Sequence, residues 1–374
     1  MRDKPLKFWL GSHLSGWTRL IIRNRFDISL RYLPDALLIT LAAAGHSLAR
    51  GAQALIFGHR IRQTRLHDAP VFVIGHWRSG TTHLHNLLSQ DSQFTWPTSF
   101  QCFNPNDFLL TGRLLKRFVR TLPTRAMDSM TLSLDGPQED EFALCNLGLP
   151  SPYLHIAFPN RPFSQPESLD LEGMDSQALT RWKETFLHFL KMISAQKPGC
   201  LLLKSPSHTC RIPTLLELFP GARFVHIVRS PYSVIPSTLH LWKVLYSSQA
   251  LQIPDFVDLE NDIFNTYAHV FRRLGETRSR LPVSQFCEVR FEDVLAQPIQ
   301  NLRRIYQQLH LGDMEVMRPK LERYLADTAE YRPRRWELPP EMRNRIRGEC
   351  DRVIREYRYA EEPLQVWEPG RYEN

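Results

Sequence analysis

Three short apolar runs stand out along the chain: Val71-Phe72-Val73-Ile74, Leu201-Leu202-Leu203 and Phe224-Val225-His226-Ile227-Val228. Unbroken apolarity over so few residues, bounded by Gly, Pro or charge, suits strands covered on both faces, as in a parallel sheet. Helical spacing lies between them. Leu84, Leu87 and Leu88 follow the first run, and Trp182, Phe186, Phe189, Leu190 and Ile193 precede the second. Leu215, Leu216, Leu218 and Phe219 lie between the second and third, where Pro220-Gly221 stops the helix. The stretch from Cys200 to Arg229 therefore reads as a βαβ unit with a right-handed crossover. The fold class expected is α/β, a central parallel sheet flanked by helices. Leu109 to Val119 is expected to be helical, Asp91 to Asp107 an aromatic pocket wall, and Pro150 to Ser176 a long irregular insertion of the kind that forms lids and binding loops.

The first 68 residues have a different texture and read as a separate N-terminal helical region, 1–68, ahead of an α/β domain, 69–374, that ends in helices. Leu33 to Phe57 is largely apolar but broken by His46 and Arg50. Its uninterrupted run falls short of the ~20 residues that cross a bilayer. A core or docking helix is one reading. The other is a helix lying on a membrane surface through residues 1–57, with Trp9, Trp17, Arg19, Arg23 and Arg25 upstream.

Composition narrows the partners. With 43% hydrophobic residues a large core is affordable, and the balance 47 − 39 = +8 favours a polyanionic ligand or an anionic surface. Half of that excess sits in Arg318 to Arg358, where 12 − 8 = +4, and reads as a solvated helical face. No zinc, RNP or helix-turn-helix pattern is recognised, so no nucleic-acid partner is expected. The six cysteines are scattered without a CxxC pair, which suits free thiols in a reducing compartment and no metal. The first thirty residues lack a secretory pattern. The expected location is cytoplasmic, with the inner membrane surface as the peripheral alternative.

The chemistry concentrates after the first strand, in Gly75-His76-Trp77-Arg78-Ser79-Gly80-Thr81-Thr82. A glycine-flanked turn between a strand and a helix N-terminus gathers free backbone N–H groups around an anion. The spacing mimics GxxxxGK[ST], but Thr81 occupies the lysine position that ATP- and GTP-cleaving enzymes need. The basic group lies inside the loop instead, as Arg78, whose guanidinium fork suits a phosphate. Two further strand ends carry cations, Lys204 and Arg229, and in open α/β sheets ligands bind beyond those ends.

The RSGTT loop after its strand resembles that of the sulfotransferases that use 3′-phosphoadenosine-5′-phosphosulfate (PAPS). The resemblance covers roughly residues 70–310 and implies the P-loop-NTPase-like sulfotransferase fold, with N- and C-terminal helices added. It implies that Arg78, Ser79, Gly80, Thr81 and Thr82 hold the 5′-phosphosulfate, and that Arg229 with Ser237 holds the 3′-phosphate. Val289-Arg290-Phe291-Glu292-Asp293-Val294 is similar to another family landmark. Lys204, in a strand-end Lys-x-Pro, and Arg78 are expected to stabilise the oxygen on which the breaking bond leaves charge. Glu139 or Glu141, from the run Glu139-Asp140-Glu141, is the expected general base, and the same run also suits a helix N-terminus. The expected reaction is in-line transfer of a sulfuryl group to a hydroxyl or amine of a small-molecule, lipid or carbohydrate acceptor, with PAPS as co-substrate. The family's late glycine-rich loop with its Trp is missing, and Arg332-Pro333-Arg334-Arg335-Trp336 is the candidate substitute. The family's histidine base has no clear counterpart beyond His76 and His208. A P-loop kinase and a non-catalytic nucleotide-binding or membrane-associated protein remain the alternatives, and the oligomeric state is open.

Overall fold

Five parallel strands run through the centre of the computed structural model, which describes residues 7–67, 69–118, 133–161, 167–330 and 332–359. They are β1 (Val71–Ile74), β2 (Phe94–Thr95), β3 (Cys200–Lys204), β4 (Arg223–Val228) and β5 (Phe286–Arg290). Their order across the sheet is β2-β3-β1-β4-β5. The strand with no polar side chain, β1, takes the centre, and all four of its residues are fully buried. In register, Val73 lies beside Lys204 and Val225, so the carboxyl ends of β3, β1 and β4 stand side by side. The expected α/β sheet is present, with one difference. The connection from β3 to β4 spans β1, so the two are not neighbours as a simple βαβ unit would make them. The most apolar strand has separated them by taking the most covered position.

Helices cover both faces. In chain order they begin with α1 (Leu14–Arg23), α2 (Leu33–Gln63), α3 (Thr81–Leu88), α4 (Ser99–Phe103) and α5 (Phe108–Phe118). There follow α6 (Asp140–Asn146), α7 (Glu167–Asp170), α8 (Ser176–Gln196), α9 (Ile212–Leu218), α10 (Pro231–Gln249) and α11 (Leu259–Arg278). Beyond β5 come α12 (Phe291–Ala296) and α13 (Pro298–Leu309), then shorter helices to Glu356. The apolar face of α8 buries Trp182, Phe186, Phe189 and Leu190 against β1 and β3 residues such as Phe72 and Leu203. On the other face, Leu84, Leu87 and Leu88 of α3 pack with Leu302 and Ile305 of α13. A third cluster joins the N-terminal region to the rest, with Trp9, Trp17, Ala36 and Ile39 continuous with Trp77, Tyr153 and Tyr246.

As far as Leu171 the described part of Pro150 to Ser176 is mostly folded against the core, and the exposed loop lies at its end, where Glu172, Gly173, Asp175 and Ser176 face solvent. It holds a 3₁₀ turn, Pro152–Ala157, and α7, and it buries Tyr153, Ile156, Ala157 and Phe158. Apolar residues without helical or strand period concealed a wall of the core. Residues 162–166 of this stretch lie outside the described residues.

Candidate active site

The turn between β1 and α3 depends on two glycines. Gly75 has φ +149°, and a Cβ there would lie 2.5 Å from the Ile227 carbonyl oxygen. Gly80, the residue before α3, has φ +105°, and a Cβ there would lie 2.3 Å from the Phe291 ring. Only glycine fits both requirements. Thr209 pins the first corner: Gly75 N–H donates to its Oγ1 at 2.8 Å, and that hydroxyl donates back to the Gly75 carbonyl at 3.2 Å. Arg78 sits at φ +67°, a costly left-handed conformation for a side chain of its size. Ser79 Oγ is buried and has no hydrogen-bond partner. An orphaned hydroxyl, a glycine cradle and the N-terminus of α3 together fit an incoming oxyanion.

The strand-end cations reach this turn. Arg78 Nε donates to Ser237 Oγ on α10 at 2.9 Å, and Arg229 Nη1 donates to the Arg78 carbonyl at 3.2 Å. The Arg229 guanidinium also stacks over the Phe291 ring at 4.4 Å. Lys204, only 2% exposed, donates to Thr82 Oγ1 at 3.4 Å and to Glu139 Oε1 at 2.7 Å. Arg78, Ser79, Gly80, Thr81, Thr82, Lys204, Arg229 and Ser237 thus share one edge of the sheet.

The three consecutive acids go to three different places. Glu139 is the residue before α6, yet its side chain makes no cap. Its carboxylate lies between Lys204 and Tyr153, whose hydroxyl donates to Oε2. Asp140 is fully buried with His208 Nε2 at 2.6 Å. Glu141 is also fully buried and takes a two-pronged contact from Arg211, at 2.6 and 3.1 Å, with Ser205 Oγ at 3.4 Å. The structure therefore brings Glu139 to the lysine and not Glu141, whose two oxygens are occupied inside the core. The two histidine candidates stay apart from it as well. His208 is Asp140's partner, and burial holds the His76 imidazole down to about 4, neutral against Trp77 and Tyr267.

Tyr153 opens a second chamber. Burial, then the charge of Glu139, raises its phenol well above the ordinary range, so it stays a donor. Its oxygen accepts a hydrogen bond from Trp77 Nε1 at 2.9 Å. Trp77 in turn lines a cavity of about 290 Å³, whose wall combines Trp242, Tyr246, Leu259 and Ile263 with the polar groups of His155, Asp262, Asn265 and His269. A chamber with aromatic, aliphatic and polar walls thus lies two hydrogen bonds from Glu139. Neither Trp77 nor Tyr153 was assigned a role from the sequence. They lie 76 positions apart, and no local pattern connects them.

From the late arginine-rich stretch, Trp336 packs on His240 at 5.5 Å between ring centres, and Arg334 lies over Trp336 at 4.4 Å. His240 follows Ser237 by three residues on α10. Burial and then the charges of Arg334 and Arg78 lower its imidazole. The candidate substitute for the missing glycine-rich loop therefore lies beside Arg78 and Ser237.

Comparison with known proteins adds an independent finding. A model of the sulfotransferase family matches residues 70–315. The omega-hydroxy-beta-dihydromenaquinone-9 sulfotransferases Stf3 of Mycobacterium bovis and Mycobacterium tuberculosis are each 43% identical over 370 residues, covering 98% of this chain and 95% of theirs. Among solved structures, sulfotransferase STF9 of Mycobacterium avium superposes with TM-score 0.66 at 20% identity, over 92% of this chain and 96% of that one. STF1 of Mycobacterium tuberculosis does so with TM-score 0.62 at 17% identity, over 91% and 93%. These two likenesses establish the fold.

Proposed function

The chain belongs to the sulfotransferase family and is a sulfotransferase, and on that premise we propose that it moves a sulfuryl group from PAPS to the terminal hydroxyl of a long apolar acceptor. The family match leaves the kinase alternative without support. The observation that carries the reading is the unbroken chain from the anion cradle through Lys204, Glu139 and Tyr153 to Trp77 and the aromatic cavity. A charged donor enters from one end of this chain and an apolar acceptor from the other.

The amides around Ser79, Gly80, Thr81 and Thr82, with the Ser79 hydroxyl, would hold the 5′-phosphosulfate, and Arg229 with Ser237 the 3′-phosphate. Arg78 would bridge the two regions, its guanidinium already on Ser237 and its carbonyl on Arg229. Arg334 and Trp336 would close over the nucleotide beside them. Glu139 accepts the proton of the acceptor hydroxyl as that oxygen bonds to sulfur. Lys204 turns its ammonium to the oxygen that leaves sulfur with the bonding electron pair. Little covalent work is left to the protein, so alignment and charge stabilisation carry the rate.

The acceptor class draws on two observations. The curated relatives act, by name, on an omega-hydroxylated menaquinone, and part of the wall of the cavity beyond Tyr153 is aromatic and aliphatic. Trp77, Trp242, Tyr246, Leu259 and Ile263 offer an isoprenoid chain its apolar contacts, and His155, Asp262, Asn265 and His269 offer polar partners to its terminal hydroxyl. The test is transfer of ³⁵S from labelled PAPS to a prenyl quinone with a terminal hydroxyl. The same quinone without the hydroxyl, and a panel of sugars, should take up no label. Labelling of sugars but not of the hydroxylated quinone would overturn the acceptor class.

A further inference from the structure

The described residues expose most of their large apolar side chains in one place, on α1, α2 and the turn between them. On α2, Leu33, Leu37, Leu38, Leu41, Leu48, Leu55 and Ile56 are exposed, Leu48 by 79% and Leu55 by 89%. At 100° per residue these seven fall within an arc of about 140°, opposite the face that buries Ala36, Ile39 and Ala43. Ile22, Phe26 and Leu30, the last 83% exposed, extend the same apolar surface toward α1. A helix apolar on both its core and its outer side has an outer partner other than water.

Charge identifies that partner. Between Leu33 and Ile56 the only formally charged residues are Asp35 and Arg50. Exposed arginines flank the apolar stretch at both ends, Arg23, Arg25 and Arg31 before it, Arg62 and Arg65 after it. The carboxylates nearest the first group are already engaged, Asp27 by Arg161 at 2.9 Å and Asp35 by Lys7 at 3.9 Å. A second copy of the chain is a poor match. With arginine at both ends of α2, face-to-face pairing brings arginine against arginine in either direction. An anionic bilayer surface matches both features, taking leucine into the acyl boundary and arginine onto the headgroups. The helix is about 46 Å long, but among the described residues no helix is long and apolar enough to cross a membrane. It would lie in the interface plane.

We propose that the outer face of α1 and α2 docks this sulfotransferase on the surface of an anionic lipid bilayer. The same buried cluster that holds α1 and α2 also contains Trp77, Tyr153 and Tyr246, so the docking helices share one continuous apolar core with the wall of the acceptor cavity. An enzyme seated this way meets a lipid acceptor without extracting it into water.

Vesicle co-sedimentation tests the proposal and needs neither donor nor acceptor, so its failure is separate from failure of the sulfotransferase reading. The full chain should sediment with phosphatidylglycerol–phosphatidylcholine vesicles, and weaken both on pure phosphatidylcholine and in high salt. The double variant Leu41→Glu/Leu48→Glu should lower the partition coefficient about tenfold or more. Its affinity for adenosine 3′,5′-bisphosphate should stay unchanged, which verifies folding. No sedimentation with anionic vesicles, or sedimentation indifferent to the double variant, overturns the proposal. So does a dimer in light scattering that the double variant dissociates, because a second copy then covers the face.

Discussion

Replacing Lys204 with alanine removes the ammonium that joins the anion cradle to Glu139. Two separate costs follow. The first is catalytic: losing one preorganised donor to a developing charge typically costs about 10²–10³ in kcat, or about 2.7–4 kcal/mol. The second is structural. Lys204 is 2% exposed and its 2.7 Å contact with Glu139 is buried, so the variant takes away the ammonium bonded to a carboxylate whose other oxygen stays with Tyr153. Breaking a buried pair from one side costs about 3–5 kcal/mol, a large part of a typical folding stability of about 5–15 kcal/mol. The assay therefore reports turnover per folded molecule, with thermal unfolding and adenosine 3′,5′-bisphosphate binding measured alongside. Adding Glu139→Gln to Lys204→Met should recover most of the lost stability, since both charges are then gone, and none of the turnover. The reasoning is refuted if folded Lys204→Ala turns over within about threefold of wild type, a difference far below the donor's expected contribution.

Arg229→Ala should weaken binding of adenosine 3′,5′-bisphosphate by about 10- to 100-fold, the loss of one or two charge-assisted hydrogen bonds, with kcat changed far less; calorimetry and saturation kinetics separate the two. Glu139→Gln should lower kcat by about 10²–10⁴ in initial-rate assays of folded protein, the loss of a positioned base. Glu141→Gln should instead lower the unfolding temperature, because buried Arg211 loses the carboxylate it faces and keeps the Ser168 and Leu169 carbonyls as neutral hydrogen-bond acceptors, while folded molecules keep their rate. If Glu141→Gln lost the rate without losing stability, the assignment of the base to Glu139 would be wrong. A pH effect follows from Glu288. Burial alone would raise its carboxyl, but hydrogen bonds from His226 and Tyr357 and the charges of His226 and Arg278 bring it down to about 2 from an ordinary 4.5. A depressed carboxyl stabilises the fold above its ordinary value and loses that contribution as pH falls through the folded one. Glu288→Gln should therefore be less stable than wild type at neutral pH, with the gap closing between about pH 4.5 and 2 in urea titrations.

The parts legible in the sequence were those whose signal is local. Val71–Ile74, Cys200–Lys204 and Arg223–Val228 read as strands because burial on both faces makes a parallel strand apolar without interruption. A cation at a strand end is visible for the same reason, so Lys204 and Arg229 could be named beforehand. The two-residue β2 carries too little pattern to be seen, and β5 half-exposes every second side chain at the sheet edge. The acidic run was legible as a cluster but not as three roles. Which carboxylate faces Lys204 depends on α6 beginning one residue after Glu139, and boundaries are set by tertiary contacts that propensity does not encode. Arg211 and His208, which remove Glu141 and Asp140 from the site, come from a turn some seventy positions away. The same is true of Tyr153, which stands in a stretch whose aperiodic apolar residues resembled a loop.

The most direct measurement is a crystal structure with adenosine 3′,5′-bisphosphate bound. The account predicts the 5′-phosphate on the amides and hydroxyls of Ser79 to Thr82 within reach of Lys204, and the 3′-phosphate against Arg229 and Ser237. A nucleotide seated elsewhere, or one whose two phosphates leave either Lys204 or Arg229 untouched, would contradict it.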